Sequence, residues 1–90
     1  MTAADRDATP ALNPMYRFQW EPAQESHVLL YPEGMVKLSG SAGEIMQRVD
    51  GKTTIGGIID DLKKAFPGVD LDADIINFLT QARANGWITY

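Results

Sequence analysis

The chain has no cysteine, so neither disulfides nor thiolate metal sites are open to it, and a reducing compartment suits it. It has a single histidine, His27, which with no cysteine and no paired base cannot complete a nucleophilic triad. Basic residues are short: eight Lys and Arg stand against twelve Asp and Glu, a formal charge of −4. A surface built to hold a nucleic-acid backbone needs the opposite sign. No apolar run approaches the length of a membrane span. The opening MTAADRDATPALNP lacks the apolar block of a signal peptide. A soluble cytoplasmic protein is the expectation. What is present is ordinary for a small globular chain: 90 residues, 44% of them apolar, enough for one domain with an adequate core.

Residues 1–15 read as a flexible tail, small, polar and interrupted by Pro10 and Pro14. Residues 16–90 read as the domain. Tyr16-Arg17-Phe18-Gln19-Trp20 alternates with the period of a strand that buries one face. Val28 to Tyr31 is nearly continuous apolar sequence, as a central strand requires, and Met35 to Ser39 alternates again with Val36 and Leu38 inward. Between them, Tyr31-Pro32-Glu33-Gly34 predicts a hairpin with a three-residue loop and a glycine bulge. The third strand is then an edge, offering free backbone N–H and C=O groups to a partner.

Three helix signals follow. Ser41-Ala42-Gly43-Glu44 has the form of a capping box, and Ala42, Ile45, Met46 and Val49 line one face up to Asp50-Gly51. Thr53 or Thr54 opens a second helix, whose Ile55, Ile58, Ile59, Leu62 and Phe66 form one apolar stripe before Pro67-Gly68 stops it. A third runs from Asp70 or Asp72 to about Asn85, with Leu71, Ile75, Phe78, Leu79 and Ala82 buried, Ile76 on the flank and Gly86 beyond the end. Trp87 and Ile88 follow as an apolar clamp. The fold class is α+β: a three-stranded antiparallel sheet followed by three helices, in a winged helix-turn-helix-like arrangement.

Known chemistries find little purchase. Asp70-x-Asp72-x-Asp74 copies the start of an EF-hand loop, but Ile75 stands where glycine is needed and Gln81 where a bidentate Glu belongs. Gly51-Lys52-Thr53 has the tail of a P-loop without its earlier glycine. A helix-turn-helix would read DNA with the start of its third helix, which here carries three carboxylates. No catalytic residue, metal site or cofactor is expected, and no nucleic acid or membrane partner.

The combination HVLLYPEGMVKLS, AGEI, DG, T, DADIINFL and NGWI resembles the PqqD family of pyrroloquinoline quinone biosynthesis proteins over residues 16–90. Ser39 stands where the family often has Asn. The resemblance implies a non-catalytic carrier that binds the ribosomal precursor peptide PqqA and presents it to the radical SAM enzyme PqqE. It implies that the peptide adds as a strand to the third strand, in a groove whose other wall is the third helix. By position, the edge residues are Met35, Val36, Lys37, Leu38 and Ser39. The helix residues expected in the groove are Ile76, Leu79, Thr80 and Arg83, with Arg83 meeting any peptide carboxylates. A winged-helix interaction module with a different client is the alternative, and a DNA-binding helix-turn-helix stands third. Both a monomer and a homodimer made by exchange of the arm or edge fit the sequence.

Overall fold

The computed structural model describes residues 6–90; the first five residues of the expected tail lie outside them. Five strands and three helices follow in order: β1 (Ala11–Leu12), β2 (Arg17–Glu21), β3 (Ser26–Tyr31), β4 (Gly34–Lys37), α1 (Gly40–Met46), α2 (Ile55–Ala65), α3 (Asp72–Ala84) and β5 (Ile88–Thr89). β2, β3 and β4 form an antiparallel sheet in that order, and β1 pairs with β5 in a second, two-stranded one. The expected α+β architecture is present.

The register puts Phe18, Leu29 and Val36 in one row across the sheet, with Trp20 opposite His27. Strand side chains alternate, so this face meets the helices while Arg17, Gln19, Met35 and Lys37 occupy the other. Leu29 and Leu38 join Ile45, Met46, Ile55, Ile58, Ile59, Leu62, Ile75, Leu79, Ala82 and Ile88 in one buried core. The 3.6-residue spacing read in α2 and α3 is what delivers these side chains to a common centre.

His27 is held by its neighbours rather than by a reaction partner. Its ring stacks on Phe18 at 4.9 Å between centroids and meets Trp20 edge-on at 5.1 Å. Gly43 of α1 sits directly against it: a Cβ there would lie 2.9 Å from Nδ1 and 3.3 Å from Cβ and Cγ of the imidazole. Only a residue without a side chain lets α1 approach the sheet this closely.

Several local expectations change. Tyr31 pairs directly with Gly34, leaving a two-residue loop, Pro32-Glu33, in place of the three-residue loop and bulge. Gly34 does not take a positive φ. Its missing side chain leaves room for the Tyr31 ring, whose Oη would be 3.4 Å from an added Cβ. The cap of α1 is Ser39, not Ser41: Ser39 Oγ accepts from Ala42 N at 3.1 Å. Glu44 therefore does not close a capping box and instead pairs with Arg48 one turn on, at 3.1 Å. α1 also stops at Met46, before Asp50-Gly51. Asp50 instead caps the next turn, accepting from the amides of Lys52 and Thr53 at 2.8 Å each, and those hydrogen bonds hold its carboxyl below the usual carboxylate range. Thr54 caps α2 through Gly57 N as expected.

The described part of the expected tail is docked. Ala11 and Leu12 pair with Thr89 and Ile88, Pro10 O accepts from Gly51 N, and Ala8 O accepts from Ile55 N. The amides that begin α2 need acceptors, and the arm supplies one through the Ala8 carbonyl. Composition alone cannot register such backbone pairing, because every non-proline residue carries the same donor and acceptor. Farther along, Arg6 Nη2 lies 3.2 Å from Asp72 Oδ2, and Lys63 Nζ lies 3.1 Å from Asp72 Oδ1. One carboxylate thus ties the arm to α2 and α3.

Lys63, then Arg6, hold the Asp72 carboxyl below its ordinary value of 3.8. A depressed carboxylate contributes stability above its unfolded pKa and loses it as pH falls through the lower folded value. The melting temperature is therefore expected to decline as acid is added below pH 3.8. In Asp72→Asn that component should disappear, so the gap between the two melting curves narrows in acid. A gap that stays constant with pH would show that the cluster contributes nothing.

Candidate functional site

β4 has β3 on one side and, among the described residues, no strand on the other. Leu38 N donates to His27 O at 3.0 Å, which fixes the phase of the ladder. Antiparallel pairs alternate between bonded and non-bonded, and the register places Val36 opposite Leu29 and Gly34 opposite Tyr31 in bonded pairs. Met35 and Lys37, opposite Leu30 and Val28, fall in the non-bonded pairs. Their backbone N–H and C=O groups consequently point away from the sheet. The Met35 side chain is 43% exposed on the outer face.

Where β4 passes into α1, a cavity of about 520 Å³ opens between the start of α1, the end of α2 and the first half of α3. Ser39 and Gly40 form the lip nearest the strand. Ile45, Leu62, Phe66, Val69, Leu71, Ile75 and Phe78 make it mainly apolar, and Glu44 and Asp74 bring two carboxylates. The turn between α2 and α3 shapes the far end: Pro67-Gly68 stops α2, and Gly68 takes a φ of +85° that a residue with a side chain rarely adopts.

Phe66 and Val69 stand out in this setting. Phe66 was expected in the buried stripe of α2, yet it is the C-cap of that helix and 40% exposed. The stripe ends when the helix does, so the ring projects into the groove instead of the core. Val69, 52% exposed, lies in the turn, and no helical or strand period in the sequence places it. An apolar residue isolated between Gly68 and Asp70 was the signal available for it.

The residues expected from sequence divide. Met35 and Lys37 occupy the free edge, and Ser39 both caps α1 and lines the groove. Val36 packs half-buried against the core and Leu38 is buried. On α3, Leu79 is fully buried in the core. Ile76, Thr80 and Arg83 do not line the groove. At about 100° per residue they lie roughly 140–160° around the helix from Phe78, with the core stripe between. Ile76 packs against the core, and Thr80 Oγ1 donates to Ile76 O at 2.8 Å. The Arg83 guanidinium covers the Tyr90 ring at 4.6 Å from its centroid. The helix residues that the groove does receive are Leu71, Asp74, Ile75 and Phe78.

Among the described residues no group of three or more His, Cys, Asp or Glu side chains is arranged to hold a metal ion. No helix there is long and apolar enough to cross a membrane. The arrangement offers an open strand edge running into an apolar, acid-rimmed groove, which is equipment for holding an extended peptide.

Comparison with known proteins agrees in fold and family. The family model for coenzyme PQQ synthesis protein D (PqqD) matches residues 26–88. A PqqA binding protein of Pseudomonas entomophila is 55% identical over 86 residues, covering 94% of each chain. A PqqA binding protein of Acinetobacter baylyi is 52% identical over 81 residues, covering 89% of this chain and 82% of its own. Among solved structures, the chain is similar to the PqqD truncation of Methylobacterium extorquens PqqCD, determined by solution NMR and described as a functional, stand-alone recognition element for ribosomally synthesized and post-translationally modified peptides. The TM-score is 0.73 at 26% identity, over 90% of this chain and 88% of that one. The crystal structure of PqqD from Xanthomonas campestris gives a TM-score of 0.59 at 30% identity, over 94% and 97%.

Proposed function

The chain belongs to the PqqD family, and from that premise we propose that it binds the precursor peptide PqqA as an added strand on β4 and presents it to the radical SAM enzyme PqqE. The module recognises and does not catalyse. The observation that carries the reading is the free main-chain edge at Met35 and Lys37, which leads into the groove at Ser39. Main-chain hydrogen bonds supply affinity that any extended segment could use, and the groove supplies the side-chain selection. Of the residues implied by the family resemblance, this path keeps Met35 to Ser39. It uses Leu71, Asp74, Ile75 and Phe78 in place of Ile76, Leu79, Thr80 and Arg83.

Binding one partner while leaving the other surfaces free lets such a module raise the local concentration of precursor at the enzyme. The cytoplasm, where ribosomal precursors are made, is the proposed location. Amide chemical shifts of the isotope-labelled chain, followed while PqqA is added, test the site. Changes should cluster at residues 35–39 and at Leu71, Asp74 and Phe78. Changes confined to Ile76, Thr80 and Arg83 would move the peptide to the opposite flank of α3. Presentation is tested separately, by the rate at which PqqE modifies PqqA with and without this protein, and equal rates would remove that role.

A further inference from the structure

Resting on the peptide-binding reading above, we propose that the groove selects a peptide segment in which a bulky apolar side chain is followed or preceded closely by a basic one. The apolar side chain lies on Phe66, Val69, Leu71 and Phe78, and the cation meets Asp74.

The described residues leave five large apolar side chains substantially exposed: Met15, Trp20, Met35, Phe66 and Val69. Two of them, Phe66 and Val69, share this one cavity, beside half-buried Phe78 and Leu71. Adjoining exposed apolar side chains on a small domain lower their free energy by being covered, and here the cover must fit a concave site. The cavity of about 520 Å³ is large enough for one large side chain together with the backbone that carries it.

Charge determines what accompanies that side chain. The lining includes two carboxylates and no Lys or Arg. They are not equivalent. Glu44 lies 3.1 Å from Arg48 Nη1, so a cation already stands beside it, although Arg48 also serves Asp61. Asp74 has no ion-pair partner among the described residues. Its position in the first turn of α3 lets it complement the helix dipole, but that interaction leaves its outer lone pairs free. An apolar guest that brought a carboxylate to this rim would be repelled, and one that brought an ammonium or guanidinium would be attracted. The groove opens at Ser39, where the free edge of β4 ends, so one continuous extended segment can use both.

The test is a charge-swap series read by calorimetry, using synthetic PqqA and variants in which each Lys or Arg is changed singly to Glu. Asp74→Lys is expected to weaken binding of the parent peptide about tenfold or more at low ionic strength, and less as salt is raised. Asp60→Lys makes the same change in net charge on the exposed side of α2, outside the groove, and should leave affinity within about twofold. One Glu-substituted peptide, altered next to a bulky apolar residue, should bind poorly to the parent protein and recover on Asp74→Lys. Melting curves of each variant separate lost binding from lost folding. Equal effects of Asp74→Lys and Asp60→Lys, or no peptide that recovers, would overturn the selectivity. Strand addition itself would survive that result if Lys37→Pro still abolished tight binding, and would fail with it if Lys37→Pro bound normally.

Discussion

Leu79→Ala is expected to destabilise the domain by about 2–5 kcal/mol while leaving the peptide affinity of the folded protein nearly unchanged. Leu79 is fully buried and part of the core that joins β3, α1, α2 and α3. Truncation removes its transfer free energy and leaves a cavity that the surrounding Ile and Leu side chains fill only in part. For a chain of this length, the melting temperature should fall by about 10–30 °C. Phe66→Ala should behave in the opposite way. Its ring is 40% exposed at the end of α2, so its loss costs the fold little. If peptide covers that exposed two-fifths of a ring side chain of about 200 Å², losing about 80 Å² of contact weakens binding by about 2 kcal/mol, roughly thirtyfold. Thermal melts and titrations on the same two variants separate the roles. A Leu79→Ala protein that melts near the parent temperature but no longer binds would restore Leu79 to the binding surface, where the family resemblance alone placed it.

That contrast shows where the sequence was informative. The helical spacing of Ile55, Ile58, Ile59 and Leu62, and of Ile75, Leu79 and Ala82, is a direct statement about which face is buried, because period and burial are linked through helix geometry. Together with the two-residue alternation of Tyr16–Trp20 and Met35–Ser39, it gives the order of three strands and three helices. Which flank of α3 borders a groove is a different question. Ile76 and Phe78 are both apolar and both adjoin the core stripe, and only the packing of α1 and the α2–α3 turn decides that Phe78 faces the cavity. In sequence Gly43 looks like part of a cap signal, whereas its role is to let α1 lie against His27, a contact sixteen residues away. The pairing of Ala11–Leu12 with Ile88–Thr89 was equally invisible: two-residue strands carry too short a pattern to show a period.

The same geometry predicts a sharp difference between neighbouring positions of β4. Lys37→Pro is expected to preserve the sheet and to weaken PqqA binding by about 5- to 150-fold, the range set by roughly 1–3 kcal/mol for an acceptor left without its donor. The Lys37 amide points to the free edge, so β3 loses no hydrogen bond, and Val36 already has the extended conformation that a following proline requires. Val36→Pro removes a donor from the bonded pair with Leu29 and an apolar side chain from the inner face, so the sheet itself should fail. Lys37→Ala separates main chain from charge. It keeps the amide and discards the ammonium, so near-parent affinity is expected if the backbone edge is what the peptide recognises. Calorimetric titration of the three variants, with melting curves alongside, gives a pattern that neither a charge effect nor general destabilisation reproduces. Parent-like affinity in a folded Lys37→Pro protein would mean that the peptide does not pair with β4. The free edge would then be only an exposed strand kept from aggregating by its lysine.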